Sequence, residues 1–337
     1  MEHGLRFGKR IKRDICNSLG VVVLPAGTIF RQEHLTLLRN HRIEANDLAF
    51  SSESEERYKA ASKNVNKIVG TSHEFIEKMR VTHKVPVMEF RQEILPTVQQ
   101  ISEHPDVFQL FTIVRATDEY TYTHNIGVGI LSTLIGRWMK LSESDLNLLS
   151  LAATLHDVGK VMVPTEILTK PGKLTSEEYE IIKKHTIYGY QLIKATPGLS
   201  HRVALVALQH HERLDGKGYP FGVKGDKIDY LSKIVAVADI FHAMSSTRPY
   251  HHPIAFHEII SQMRAGLFGE LDSRITSVFL EQVMNRTVGH QVLLTDGRSG
   301  EVVLINPHRP ELPLVKINDD FIDLNQVTDL RIQEITI

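Results

Sequence analysis

A single cysteine, Cys16, stands in 337 residues, which excludes an internal disulfide and fits a reducing compartment. Neither sign of charge is in excess. Lys and Arg number 39 against 40 for Asp and Glu, so the chain carries no overall footprint for a nucleic-acid polymer, although local clusters remain able to bind a small anion. The N-terminus has no apolar leader-like run, no stretch is long enough to span a bilayer, and no internal repeat is visible. The expectation is a cytoplasmic protein. What is present, 42% hydrophobic and 23% charged residues, suffices for a sizeable buried core divided into two or three units.

Taken in order, a basic run from Lys9 to Arg13 precedes the Val-rich stretch Val21 to Leu24, a Pro25-Ala26-Gly27 turn and the amphipathic Leu35, Leu37 and Leu38. This pattern predicts a small α/β module over residues 1–55, with a linker near 50–60 and a capping box at Ser52 and Glu55. Residues 56–105 read as a connector: a polar helix from Tyr58 to Met79, then short helices broken at Pro86, Pro96 and Pro105. Consecutive helices follow over 106–285: Asp118 to Lys140, Glu143 to Val158, Ser176 to Lys194, His201 to Glu212, Tyr230 to Met244 and Ala255 to Ala265. Residues 286–337 change character. Two β-branched runs flank a turn at Asp296-Gly297, and more short strands follow, predicting a β module with a packing or dimerisation role.

The chemistry centres on LAATLHDVGK, residues 151–160. An apolar helix delivers His156 and Asp157 side by side, with Gly159 as a helix stop and Lys160 after it. A neutral imidazole and a carboxylate are costly to bury unless they share a partner, and a divalent metal suits both. His124, His185, the pair His210 and His211, and Asp239 add further groups of metal-ligand type. HDVGK at 156–160, HHERLDGKGYP at 210–220 and VADIFHAMSSTRPY at 237–250 together resemble the HD-GYP family, a branch of the HD phosphohydrolases. The resemblance covers residues 106–285 and implies a mainly α, HD-type helical bundle. It also implies a bacterial signalling enzyme that hydrolyses cyclic di-GMP at a polynuclear metal centre.

Carried over residue by residue, the resemblance gives His124, His156, Asp157 and Asp239 to one metal. A bridging Asp157 with His185, His210 and His211 holds the other. On a helix the adjacent His156 and Asp157 would diverge by about 100°, which suits two ions. The donor set lacks thiolate, so two divalent transition metals are expected, iron first and manganese second. A pair of ions about 3.5–4 Å apart can hold a bridging hydroxide near neutral pH for attack on the phosphodiester. Asp157 and Lys160 are then the catalytic residues, Lys160 neutralising a phosphate oxygen. Gly218, Tyr219 and Pro220 of the turn-rich loop and Arg248 with Tyr250 are the implied substrate contacts. The same resemblance puts an aspartate where this chain has His242, another at Thr247, and basic residues at His251 and His252, so the substrate path is altered. Where family members with a third ion carry a glutamate four residues before the first histidine ligand, this chain has Tyr120, with Glu119 one residue further back. Two ions and linear pGpG as product are therefore expected. The competing readings are a non-catalytic receptor for the same dinucleotide and an HD phosphohydrolase for another nucleotide. His3, His34, His41, His73, His83 and His257 show no partner pattern and are taken as surface residues.

Overall fold

The computed structural model describes residues 7–9, 11–13, 15–17, 22–24, 28–43, 48, 50, 53–104, 106–115, 120–246, 254–266, 271–306 and 308–336. The chain forms two compact units, Met1–Ala61 and Ser62–Ile337.

In the first unit β1 (Ile15–Cys16) pairs antiparallel with β2 (Val22–Leu24), and α1 (Glu33–Asn40) follows. Ile11, Ile15, Leu24, Phe30 and Leu38 form its core, and Phe30 lies 5.5 Å from the ring of Phe7. This is the small α/β module read from the Val-rich run.

Helix α2 (Glu53–Thr82) runs from the first unit into the second. Its sequence is largely polar, yet Val65, Ile68, Val69, Phe75, Ile76 and Met79 are buried at steps of three or four, the stripe a helix needs to pack on a core. The capping box expected at Ser52 and Glu55 falls partly outside the described residues.

Of the expected proline-marked breaks, the one at Pro96 is corrected by the structure, while the chain does break between α2 and Pro86. Pro86 caps α3 (Val87–Glu89), a π-helical turn covers Phe90–Ile94, and α4 (Leu95–Ile101) continues from it without interruption. Pro96, in the first turn of α4, has no N–H to give, and the preceding turn widens instead of ending. Pro105 lies outside the described residues; α5 (Val107–Arg115) follows it.

The bundle itself comprises α6 (Tyr120–Trp138), α7 (Glu143–Thr154), a 3-10 turn at Val158–Met162, α8 (Thr165–Leu168), α9 (Ser176–Lys183), α10 (His185–Lys194) and α11 (His201–Gln209). After a 3-10 turn at Gly225–Lys227 come α12 (Tyr230–Ser245), α13 (Phe256–Arg264) and α14 (Ser273–Asn285). Helix α6 packs on α7 and α12, and α10 on α11. Ile126, Val128, Ile130 and Leu131 of α6 and Ile234, Val235, Val237 and Ala238 of α12 are buried, each large aliphatic contributing about 1.5–3 kcal/mol.

Two expected helices end earlier than their apolar patterns. Helix α7 stops at Thr154 rather than Val158, and the single helix expected over 176–194 breaks at Lys184. In both places side chains take the carbonyls that a continuing helix would use. His156 Nδ1 lies 2.7 Å from the Ala153 carbonyl, His185 Nδ1 2.7 Å from that of Ile182, and Thr186 Oγ1 2.9 Å from that of Lys183.

The C-terminal strands β3 (Gln291–Leu294), β4 (Ser299–Leu304), β5 (Leu314–Ile317), β6 (Asp320–Asp323) and β7 (Ile332–Thr336) form an antiparallel sheet ordered β6-β5-β4-β3-β7. His257, taken from the sequence as a surface residue, is half-buried. Its Nδ1 lies 2.7 Å from the Ile332 carbonyl and ties α13 to β7. Among the described residues no helix is long and apolar enough to cross a membrane.

Candidate metal centre

Helix ends deliver the candidate ligands. His156 lies two residues past α7, His185 follows α9 and opens α10, and His210 caps the C-terminus of α11. The last carbonyls of a helix have no intrahelical partner. Each of these imidazoles donates its Nδ1–H to one: Ala153 at 2.7 Å, Ile182 at 2.7 Å, and for His210 the Ala207 carbonyl at 3.1 Å. The proton is thereby fixed on Nδ1, and all three Nε2 lone pairs are turned inward.

They converge on Asp157. Its Oδ1 lies 3.1 Å from His185 Nε2 and 3.7 Å from His210 Nε2, and its Oδ2 lies 3.6 Å from His156 Nε2 and 3.8 Å from His124 Nε2. Asp239, from α12, places Oδ1 3.0 Å from His124 Nε2 and Oδ2 3.9 Å from His211 Nδ1. Two groups thus share one carboxylate, Asp157 with His185, His210 and His211, and Asp157 with His124 and His156.

Gly159 makes the convergence possible. A Cβ there would stand 1.9 Å from the His185 carbonyl and 2.3 Å from Gly189 N, so only glycine lets the 3-10 turn press against α10. Its role is close approach rather than stopping a helix. Likewise His156 and Asp157 diverge within a turn, not along the α-helix expected from the sequence.

The electrostatics call for a cation. His185 and His210 bring their Nε2 atoms within 3.4 Å of each other, both as acceptors. His156 Nε2 and Asp157 Oδ1 are buried with no hydrogen-bond partner among the described residues, a condition that costs about 1–3 kcal/mol per group if nothing fills the gap. Burial pushes His156 down to about 3, and burial likewise lowers His185 and His211, so these rings are neutral. Burial alone would raise the two aspartates. Lys160 and His156 beside Asp157, and the hydrogen bond from His124 to Asp239, outweigh it and hold both carboxyls well below the usual range. Neutral imidazoles and charged carboxylates with inward lone pairs fit divalent metal ions.

Lys160, from the 3-10 turn, ion-pairs with Asp157 Oδ2. It also lines a cavity of about 380 Å³ together with Asp157, Arg80 of α2, Asn125 of α6, Thr165 and Thr169. That volume falls within the range of small-molecule sites, roughly 300–1,000 Å³. Asn125 Oδ1 is buried there with no hydrogen-bond partner among the described residues. Arg80 is held by Glu77, 3.2 Å away, and its Nη1 lies 3.5 Å from Thr165 Oγ1.

On the other flank Tyr219 stacks on His211 with ring centroids 4.6 Å apart, and burial pushes its phenol far above the ordinary value. Gly218 backs onto the chain at His211 and Glu212, where a Cβ would come within 2.6 Å of three backbone atoms, and Pro220 follows. Glu212 escaped the sequence reading. Its buried carboxylate accepts from Phe221 N at 2.8 Å and Val223 N at 3.1 Å, pinning the loop. Arg80 and Asn125 escaped it too, because each is placed by tertiary packing and neither belongs to a motif.

His242 requires a correction. Expected near the substrate path, it is 1% exposed and lies beneath His124 within the bundle. Arg248, Tyr250, Thr247, His251, His252 and Glu119 lie outside the described residues, and Tyr120 is described only as the first residue of α6.

Compared with known families, residues 110–274 match the HD domain. The chain is 36% identical over 219 residues to a cyclic di-GMP phosphodiesterase of Pseudomonas aeruginosa, covering 64% of this chain and 52% of that protein. It is 40% identical over 187 residues to a cyclic di-GMP phosphodiesterase of Thermotoga maritima, covering 53% and 50%. This chain therefore spans about half the length of these curated relatives. Among solved structures, an HDG"Y"P protein from Bdellovibrio bacteriovorus matches with a TM-score of 0.51 at 18% identity, over 83% of this chain and 96% of that one, a likeness of fold.

Proposed function

From the premise that residues 110–274 belong to the HD domain family, in its HD-GYP branch, we propose that this protein is a metal-dependent phosphodiesterase that opens cyclic di-GMP to linear pGpG. One observation carries the reading: buried, inward-facing Nε2 atoms surround a carboxylate shared by two ligand groups, and two divalent ions reconcile them. His124, His156, Asp157 and Asp239 would hold one ion, and Asp157, His185, His210 and His211 the other, iron being the first choice and manganese the second. Such ions, when bound, supply Lewis acidity and lower the pKa of a coordinated water from about 15.7 towards neutrality.

The chain's own residues do the rest. Lys160 lies at the junction of ligands and cavity, where its ammonium can move from Asp157 to a phosphate oxygen of the substrate. Arg80 and Asn125 offer donors and an acceptor in the cavity, and Tyr219, between Gly218 and Pro220, stacks on His211. Burial of Asp157 and Asp239 excludes water from the ligand oxygens and strengthens each charge contact.

Anaerobic loading with iron or manganese, followed by chromatography of products from cyclic di-GMP, tests the reading. Conversion to pGpG is the expected result. Tight binding without turnover would make the protein a receptor, and turnover only of another nucleotide would replace the substrate.

A further inference from the structure

The cavity that contains Asp157 and Lys160 has two kinds of lining. Ile76, Val158, Val161 and Leu168 give it apolar walls, while Arg80 and Asn125 add polar atoms. A phosphate has no use for apolar walls. A nucleobase has: its faces are apolar and its edge carries donors and acceptors. At about 380 Å³, near the lower end of the range of ligand pockets, the cavity suits one nucleoside rather than a whole cyclic dinucleotide. Because Lys160 lines it as well, a base seated there keeps its phosphate beside that ammonium.

Arg80 bears on which base fits. It stands in the last turn of α2, outside residues 110–274 of the HD domain, and is braced from two elements. Glu77 Oε1 lies 3.2 Å from its Nε, and Thr165 Oγ1 of α8 lies 3.5 Å from its Nη1. These contacts engage at most two of the five N–H donors of a planar fork. Guanine carries O6 and N7 side by side, two acceptors that an arginine fork meets together, whereas adenine sets its N6 amino donor beside N7 and opposes the fork. Asn125 makes a second demand. It is 3% exposed, and its Oδ1 has no hydrogen-bond partner among the described residues. A phosphate diester offers acceptors only and leaves such an oxygen unpaired; an N–H of a base answers it.

We propose that this cavity seats one guanine of the cyclic dinucleotide and that Arg80 selects guanine over adenine. The inference deepens the proposed phosphodiesterase reading and rests on it for the substrate.

The manganese-loaded full chain, given cyclic di-GMP and cyclic di-AMP in turn, tests it. The ratio of kcat/KM is expected to favour the guanine substrate by about 10–100-fold, the discrimination that one bidentate contact supplies. Arg80→Lys keeps the charge but loses the fork, and should lower kcat/KM for cyclic di-GMP far more than for cyclic di-AMP, through KM. Arg80→Gln, whose amide matches N6 and N7 of adenine, should bring the ratio to about unity or below. Calorimetric titration with pGpG and pApA reads the same preference without turnover and should follow the same order. An arginine that only holds α2 in place would change both substrates in proportion. A ratio near unity in the unaltered chain, or an undiminished one in folded Arg80→Lys and Arg80→Gln, overturns the inference and leaves the phosphodiesterase reading standing. If one variant does not fold, the other decides. If the unaltered chain neither binds nor hydrolyses any of these dinucleotides, the phosphodiesterase reading falls and this inference with it.

Discussion

Lys160 and Asp157 share an ion pair, yet only one of them is shared by the two ligand groups. Asp157→Ala removes the common carboxylate and is expected to cost both ions and all hydrolysis. Lys160→Ala should keep two ions and lower kcat/KM about 100-fold, the scale for losing one preorganised charge-stabilising donor. Metal analysis beside steady-state kinetics checks the pair, and equal metal loss in both variants contradicts the division of roles. At this scale the seven proposed ligand residues were legible as types, because imidazoles and carboxylates in apolar stretches demand a partner. Their protonation was not. The Nδ1 proton of His156, His185 and His210 is set by carbonyls at helix ends, which carry no sequence signal.

Helices were legible by their apolar periods, and their ends were not. Helix α7 ends short of Val158, and the break at Lys184 cuts an unbroken amphipathic pattern, because side chains at 156, 185 and 186 compete for terminal carbonyls. Those early ends are what turn the imidazoles inward. Helix α2 read as a polar connector, while its buried stripe brings Arg80 to the cavity that contains Asp157 and Lys160. Arg80→Ala is accordingly expected to raise KM for cyclic di-GMP about tenfold, near the lower end of what a hydrogen bond to a charged group contributes. Its metal content and its turnover of a small generic phosphodiester should stay unchanged. An unchanged KM for the dinucleotide would remove α2 from substrate recognition.

Across the second unit, His290, beside β3, sits on α5 through its ring, 4.9 Å from that of Phe108, and through Asp106, whose Oδ2 is 3.7 Å from Nε2. The Asp106 carboxylate, which accepts from the His290 ring, raises the His290 pKa despite partial burial. Burial opposes the Asp106 charge, but His290 and the N–H groups of Gln109 and Phe108 hold that carboxyl below its ordinary value. A raised histidine contributes stability below about pH 6.5 that is lost as pH rises through its folded pKa. A lowered aspartate contributes above about pH 3.9, and that is lost on acidification. The pair therefore helps most between about pH 4 and 6.5. With both groups partly exposed its worth is at most about 1 kcal/mol. His290→Ala should lower the melting temperature by roughly 2–4 °C more at pH 5.5 than at pH 8.5; a pH-independent loss would leave only the ring packing.

The proposed two-ion reading also bears on the product. Residue 120, four before His124 on α6, is a tyrosine and not a glutamate, so on this reading pGpG is expected to accumulate with GMP slow or absent. Tyr120→Glu should shift the ratio towards GMP; an unchanged ratio and metal count would contradict this. The most direct measurement is elemental analysis of the full chain after anaerobic loading with iron or manganese and removal of unbound metal. The account predicts about two ions per chain, and a value near zero would contradict it.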